Sequence, residues 1–445
     1  MRTTWPERLI EAGALFLLVF TPLAYGTVEP WSEAVAGLVV LAMALVYVIG
    51  CAYRDWEVRF ELPFGWLPAA LFLGLVALQA IVPMSADPHA TRREALRLLT
   101  VAAFFLICWN TYRTRAQVQR AVWTMIGMGT LLAVFGIVQR VTWNGHLYWV
   151  GPGIPGVPFG PFVNRTHFAG LIVIIVPMAL ALMLTRTRRK PPSRRYRTTL
   201  RDRIHDWSAG ESSAANLVPF LILVMGGAAL VSGSRGGMLA LLASLLAMVV
   251  GSVAGGRSWV GRAVRAGLAA VLIVLAGAWI GGDVLYGTVE RLADELGRPT
   301  ESPRLWIWSN ALTLWLGAPV FGTGLGTFGV VFPRVRTIEA PVVYTHAESD
   351  WVQLLTDTGV LGLALALATV VSVALVLGQR LQQAQSRGAR TFALAGLVVL
   401  FGAAIQGVGN YNLLVTSNFI YLALAVVLGV NGHDAPNSPP ARPPA

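Results

Sequence analysis

A histidine flanked by carboxylates marks one segment of the chain with the side chains for acid-base chemistry. His346 lies two residues before Glu348 and four before Asp350, directly ahead of a long apolar run. Because the pKa of histidine lies near neutrality, such a side chain can take a proton from a hydroxyl group. His346 is therefore the candidate base and Glu348 a supporting residue; a solvated or capping histidine is the simpler alternative.

Two arginines next to apolar runs are candidates for binding an anion. Arg235 lies in the sequence Ser-Gly-Ser-Arg-Gly-Gly, and Arg304 follows Ser302 and Pro303, which suit the N-cap and the first residue of a helix. An arginine at membrane depth is costly and usually faces a polar cavity or a partner, and neighbouring glycines let a ligand approach closely. The simpler alternatives are a turn whose arginine reaches the headgroups, and an interfacial helix in which Arg304 is incidental.

Metal and cofactor chemistry has little support in the sequence. Cys51 and Cys108 fall in or beside apolar segments, which is typical of buried small side chains rather than of a zinc site or a disulfide. No Asp-x-Asp motif is present, which argues against a metal-dependent transferase that uses nucleotide sugars. Residues 324–329 match the spacing of a dinucleotide-binding fingerprint, but no strand and crossover helix surround them, so we interpret them as a flexible turn. The sequence predicts no metal and no cofactor.

The composition places these residues in a membrane protein. Of the 445 residues 55% are hydrophobic and only 13% are charged, too few polar side chains to cover a water-soluble globule. The net charge of +12 comes almost entirely from arginines in short loops between apolar runs. That distribution is typical of membrane topology and not of nucleic-acid binding, so the expected partners include membrane lipids and exclude nucleic acid.

Apolar stretches long enough to cross a bilayer predict the helices that position the candidate residues. The predicted fold is an all-α polytopic membrane protein of about 12 transmembrane helices, with one large periplasmic loop that contains interfacial helices. The spans lie near 9–26, 34–53, 64–83, 95–112, 118–139, 166–185, 216–233, 237–254, 263–282, 352–377, 392–411 and 415–430.

The orientation follows from the arginines, because short loops rich in Lys and Arg stay cytoplasmic. Nine basic residues between 186 and 203 predict a cytoplasmic loop over 186–215, and the alternation of spans then places both termini in the cytoplasm. Arg235, Arg304 and His346 all fall on the opposite face, whereas a basic group at 92–97 breaks the pattern. The predicted organisation is helices over 1–282, a large periplasmic loop over 283–351, further helices over 352–430 and a disordered cytoplasmic tail over 431–445.

Several short motifs recur in a recognisable order. They are Phe-Gly-Pro-Phe-Val-Asn-Arg at 159–165, Ser-Arg-Gly-Gly at 234–237, Arg304 with its tryptophans, Phe-Gly-Thr-Gly-Leu-Gly-Thr-Phe at 321–328, and His346 leading to Leu-Leu-Thr-Asp-Thr-Gly-Val-Leu-Gly at 354–362. Together they resemble the bacterial O-antigen ligase and O-antigen polymerase family, mainly over residues 155–365. One departure is Ala347, where that family often has Asn after the histidine.

The resemblance implies a glycosyltransferase of the bacterial inner membrane. It would move a glycan from undecaprenyl diphosphate to an acceptor hydroxyl, such as lipid A-core or another surface glycan, on the periplasmic face and without metal or cofactor. Arg235 and Arg304 would bind the diphosphate through forked, charge-assisted hydrogen bonds. His346 would take the proton of the acceptor, with Asn164, Arg165 and Glu348 in support.

Three other functions remain open at this point. A polymerase of the same fold would use the same donor and add repeat units to a growing chain, and a transferase acting on proteins would differ only in its acceptor. A flippase or exporter of lipid-linked sugars would need charges inside several helices. Few acidic residues lie within the predicted spans, which favours an enzyme.

Overall fold

The fold was analysed in a computed structural model that describes residues 4–52, 60–150, 153, 158–186, 212–254, 303–337 and 344–432. These residues form helices joined by short loops, and the β-structure found among them is limited to the isolated bridges His146–Gly153 and Phe159–Phe162. The helices are α1 Trp5–Leu23, α2 Pro30–Ala52, α3 Trp66–Ile81, α4 Pro88–Thr111, α5 Arg115–Val141, α6 Arg165–Arg186, α7 Ser212–Val231, α8 Arg235–Ala254, α9 Pro303–Gly317, α10 Phe328–Val331, α11 Asp350–Gln383, α12 Arg387–Val408 and α13 Thr416–Asn431.

Capping residues in the sequence fix where several of these helices begin. Thr114 and Gln117 form a capping box at the start of α5, so that two backbone N–H groups without helical partners are satisfied. Asp87 caps α4 by accepting from the backbone N–H groups of His89 and Ala90, and Pro88 occupies the first helical position. The start of α4 is therefore determined by local sequence and not by hydrophobicity.

The outward faces of the helices are apolar. On α2, a stripe at helical spacing is exposed while the opposite face is buried, and the exposed residues are Leu38, Leu41, Leu45 and Val48. A helix that presents leucine and valine outward is stable only in lipid or against a partner. Within the described ranges, α2, α4, α5, α6, α8, α11 and α12 are long and apolar enough to cross a membrane, and α3, α7 and α13 contain shorter apolar helices. The predicted polytopic helical fold is confirmed to that extent, and the total of 12 spans stays a prediction.

Helix α6 lies at the centre of the bundle, packed against α5, α7, α8, α12 and α13. Its side chains form the middle of the main apolar core. Small residues allow the closest approaches: a Cβ atom at Gly237 of α8 would collide with Ala169 of α6, and one at Gly170 of α6 would collide with Asn412. The N-terminal ends of α6 and α8 are thereby held side by side.

The segment before α11 forms a second, smaller core of its own. Ile307 and Ala311 of α9 pack with Phe328, Phe332 and the fully buried methyl group of Ala347. This cluster, here called the loop core, ties α9 to the residues around His346. The predicted helix beginning at Pro303 is confirmed, while its proposed position in the membrane interface stays a prediction.

Helix α11 is broken at Gly359, which has a φ of 67° inside an otherwise helical segment. The break lets the backbone N–H of Val360 donate to the carbonyl of Pro319, at 2.9 Å. Nearby, the N–H of Gly324 donates to the backbone carbonyl of Asp357 at 2.9 Å. The N–H of Gly326 donates to the side-chain carboxylate of Asp357, also at 2.9 Å. The glycine-rich segment 322–327 is therefore a loop anchored on α11. The turn predicted over 324–329 is present as far as Thr327, after which α10 begins, and its flexibility stays a prediction.

Two further predictions are corrected by the helix bounds. The span predicted to begin at 95 starts at Pro88, so the basic group at 92–97 lies within α4 and not in a loop. The span predicted over 352–377 runs from Asp350 to Gln383. The other predicted spans overlap helices, apart from 263–282, which lies outside the described residues together with nearly all of the basic loop 186–215 and of the tail 431–445.

Replacing Gly359 by alanine should destabilise the protein. The positive φ and the collision of a Cβ atom with the carbonyl of Val320 together should cost about 1–3 kcal/mol. The matched control is Gly378→Ala on the same helix, where a Cβ atom meets nothing within 4 Å and where alanine is the better helix former. Thermal unfolding in detergent measures both variants, and equal melting temperatures would contradict the prediction.

Candidate functional site

Three arginines from three separate helices meet at one end of the bundle. Arg165 and Arg235 are the first residues of α6 and α8, and Arg304 is the second residue of α9. The charges of Arg140, Arg235 and Arg304 all repel the charge of Arg165, so each of these groups lies near Arg165. The structure therefore brings both sequence-predicted anion-binding arginines together with Arg165.

The sequence around Arg235 builds the turn that presents it. Gly233 has a φ of 68°, and a Cβ atom there would lie 3.2 Å from a guanidinium nitrogen of Arg165. Ser234 then caps α8, because its hydroxyl accepts from the N–H of Gly237 at 3.2 Å. Asn164 plays the same part at α6, accepting from the N–H of Thr166 at 3.0 Å.

The electrostatics of this end favour an anion. The N-terminus of a helix carries a partial positive charge and unpaired N–H groups, and here three such termini have an arginine as their first or second residue. Glu348 is partly buried near them, and the charge of Arg304 favours its ionised form. A phosphate group would be stabilised both by the guanidinium groups and by the helix ends.

His346 lies beside this cluster in a partly buried position. Its ring stacks on that of Tyr411, with 4.2 Å between the ring centroids. Burial lowers the pKa of His346 below its ordinary value, although its hydrogen bond with the Gln353 side chain opposes the shift. The ring is therefore neutral at pH 7 and available to accept a proton. Burial has the opposite effect on Glu348 and raises the pKa of its carboxyl group, against the effect of Arg304.

The backbone next to His346 is held from two sides. The indole N–H of Trp308 donates to the carbonyl of Ala347 at 2.9 Å, and the N–H of Ala347 donates to Oε1 of Gln353 at 3.2 Å. Glu348 then adopts a φ of 54°, an uncommon conformation for a residue with a side chain. The methyl group of Ala347 fills the loop core, so the family departure at this position is accommodated by apolar packing.

The loop between α12 and α13 supplies Tyr411 and is clamped by Asp350. The carboxylate of Asp350 accepts from the N–H groups of Asn412, at 3.0 Å, and Leu413, at 3.2 Å. On its other side Tyr411 forms an edge contact with His167, 5.0 Å between centroids, and its hydroxyl hydrogen-bonds Asn164. Asn164 therefore contributes by connecting α6 to the aromatic ring under the candidate base.

Arg97 of α4 binds the far end of the same loop. Its side chain is buried, donates to the carbonyl of Leu413 at 3.0 Å and pairs with Glu94 at 2.8 Å. Another member of the basic group, Arg93, pairs with Glu33 at 3.1 Å. Arg93 and Arg97 did not fit the rule that basic residues lie in cytoplasmic loops. They instead make specific contacts at the end of the bundle where the candidate site lies.

Every sequence-predicted site residue lies in this region, but several important neighbours were missed. His346, Arg235, Arg304, Arg165, Asn164 and Glu348 are brought together by α6, α8, α9 and α11. The sequence analysis noted Asp350 beside His346, Trp308 beside Arg304 and Arg97 in a basic group without giving them a role at the site, and it did not single out Gln353 or Tyr411. A signal for the last was present in the polar stretch 409–412 between two apolar spans. Among the described residues, no three His, Cys, Asp or Glu side chains are grouped so as to hold a metal ion.

Comparison with known families decides the relationship. Residues 220–367 match the family model described as O-antigen ligase. The chain carries a domain of the O-antigen ligase family. This domain covers about a third of the chain and contains Arg235, Arg304, His346 and the break in α11, whereas Arg165 and Tyr411 lie outside it. The resemblance found from the motifs is thereby confirmed. A search of curated proteins found no match to the chain.

The pH dependence of transfer should reflect the buried histidine of the O-antigen ligase domain. Because burial lowers its pKa below 6.5, His346 should still be more than half neutral at pH 6.5. We expect the acid limb of kcat/KM, which reports the free enzyme, to be centred below pH 6.5. The measurement is the rate of glycan transfer in proteoliposomes as a function of pH. An acid limb centred at or above pH 6.5 would contradict the expectation.

Proposed function

We propose that the chain is a glycosyltransferase that moves a glycan from undecaprenyl diphosphate to an acceptor hydroxyl on the periplasmic face of the bacterial inner membrane. Two observations carry the proposal: the charges of Arg235 and Arg304 act on Arg165, and the partly buried His346 is linked to this cluster through its neighbours. Glu348 feels the charge of Arg304, and Tyr411, which stacks on His346, hydrogen-bonds Asn164. Arg235, Arg304 and His346 lie within an O-antigen ligase domain. A cationic cluster next to a base matches a reaction in which an anion leaves and a hydroxyl attacks.

The chemistry follows from these groups. The acceptor oxygen attacks the anomeric carbon, the bond between that carbon and the phosphate oxygen breaks, and its electron pair stays on the diphosphate. His346 takes the proton of the attacking hydroxyl. The arginines stabilise the charge that develops on the leaving group, because preorganised hydrogen-bond donors lower the energy of a transition state most where its charge develops. Direct displacement of this kind inverts the anomeric carbon.

An apolar groove next to the site supports a lipid-linked substrate. It has a volume of about 360 Å³ and runs between α3, α4, α11 and α13, from Asp350 and Gln353 at the site end to Trp109 at the other. Its lining is almost wholly hydrocarbon. A polyprenyl chain entering here keeps its apolar surface out of water while its head remains beside His346.

The proposed orientation comes from the arginine-rich segment at 186–203. With that segment in the cytoplasm, the site faces the periplasm and both termini are cytoplasmic. The acceptor in this proposal is lipid A-core or another surface glycan. The competing function within the same fold is polymerisation of lipid-linked repeat units, and the competing function from another class is transport of lipid-linked sugars.

Complementation tests the reaction and separates these alternatives. The gene is restored to a deletion strain of its own host, either as wild type or as His346→Ala, and surface glycans are compared on gels at matched membrane levels of the two proteins. Loss of a general base should reduce transfer by about 10²- to 10⁴-fold. Accumulation of unattached long chains identifies a ligase, and accumulation of single lipid-linked units identifies a polymerase. Undiminished glycan with His346→Ala would refute the transferase mechanism and favour transport.

The roles of the arginine and the histidine should separate in a binding experiment. Arg304→Gln removes a charged donor and should weaken binding of undecaprenyl diphosphate about tenfold or more, since hydrogen bonds to charged groups contribute roughly 1.5–3 kcal/mol. His346→Ala should leave that affinity nearly unchanged. Arg334→Gln is the matched control, because Arg334 is also exposed in the segment 303–337. Binding to the purified protein in nanodiscs provides the measurement; loss of affinity with His346→Ala but not with Arg304→Gln would reverse the assigned roles.

A further inference from the structure

Gln353 lies at a junction between the candidate base and a buried carboxylate. It is only 4% exposed and stands one helical turn before Asp357 on the same face of α11. Its side chain interacts by hydrogen bonding with both His346 and Asp357. The amide therefore bridges the loop that carries the base and the helix behind it.

The orientation of this amide follows from its best-defined contact. The backbone N–H of Ala347 donates to Oε1 of Gln353, so the oxygen faces the His346 side. The NH₂ group then faces Asp357, which is only 1% exposed. The carboxylate of Asp357 already accepts a hydrogen bond from the N–H of Gly326. A carboxylate accepts hydrogen bonds and does not donate them, so it favours the NH₂ group of an amide over the amide oxygen. Asp357 therefore disfavours a flip of the Gln353 side-chain amide.

Two buried atoms on either side of Gln353 lack a hydrogen bond of good geometry. They are Nδ1 of His346 and Oδ1 of Asp357. An unpaired buried polar atom costs free energy, so a hydrogen bond between either atom and the Gln353 amide would stabilise the protein. Hydrogen bonds at active sites are often long before substrate binds and tighten afterwards. When the amide oxygen closes on Nδ1, this nitrogen must carry the proton, because an amide oxygen only accepts.

We propose that Gln353 is a positioning residue that holds His346 as its Nδ1–H tautomer, so that Nε2 is the atom that takes the acceptor proton. Asp357 fixes the orientation of the Gln353 amide and acts through it. The proposal rests on the transferase function for its catalytic meaning, but the tautomer is a property of the protein alone. When Nε2 takes the proton, the imidazolium retains its hydrogen bond to Gln353, which stabilises the charged ring.

The test is the ¹⁵N NMR spectrum of histidine-labelled protein in proteoliposomes, at a pH where His346 is neutral. His346→Gln identifies the signals of this residue among the six histidines. The wild type should show a protonated Nδ1 and a bare Nε2. Gln353→Leu should move the proton to Nε2, the tautomer that free histidine favours, and Gln353→Glu, which keeps an acceptor oxygen, should leave it on Nδ1. A proton on Nε2 in the wild type, or on Nδ1 in Gln353→Leu, would overturn the proposal.

A kinetic comparison shows whether the tautomer matters to transfer. Gln353→Leu should lower kcat by at least about tenfold, within the roughly 10²- to 10⁴-fold contribution of a general base, without changing the affinity for undecaprenyl diphosphate. Gln353→Glu should restore part of the rate and shift the acid limb upward. Gln117→Leu is the control, because it removes another glutamine that is 1% exposed, at the end of α5 opposite to Arg140; it should change neither rate nor spectrum. A full rate in Gln353→Leu would overturn the positioning role, whereas absence of transfer in the wild type would refute the proposed function and leave the spectral result standing.

Discussion

Like charge gathered at three helix N-termini is the constraint on which the rest of the site depends. Arg235 and Arg304 repel Arg165, and each of the three lies at the end of a helix where a cation is disfavoured. The chain keeps them together through packing that tolerates no larger side chains, since Cβ atoms at Gly236 and Gly237 would meet Asn410 and Ala169. Such an arrangement gains free energy when an anion binds, which is why the proposed donor carries its negative charge on a diphosphate.

The candidate base, His346, is held in place because three distant segments are joined to one another. Trp308 of α9 holds the backbone of Ala347, Asp350 of α11 holds the loop that carries Tyr411, and Arg97 of α4 holds the far end of that loop. The ring of His346 is thereby fixed between Tyr411 and the α11 helix. The reactive group lies in a loop, but the elements around it are membrane helices.

The sequence predicted the groups with chemical function better than it predicted their support. Arg235 and Arg304 were identifiable because an arginine next to an apolar run is rare, and His346 because it adjoins two carboxylates. Gln353 carries no such local signal, and Tyr411 is marked only by the polar stretch around it, since its importance arises from contact with His346, far away in the chain. Helix positions followed from hydrophobicity, whereas the start of α4 depended on the cap at Asp87. The break at Gly359 depended on packing against Val320, which no periodicity reveals.

The break in α11 also divides the helix mechanically. The part before Gly359 is bonded to the loop at 409–413 and to the glycine-rich loop at 322–327, while the part after it presents its side chains to lipid. The first part therefore belongs with the loops around His346, and the second with the apolar outer surface of the bundle. One helix in this way serves two environments, with Gly359 as the boundary between them.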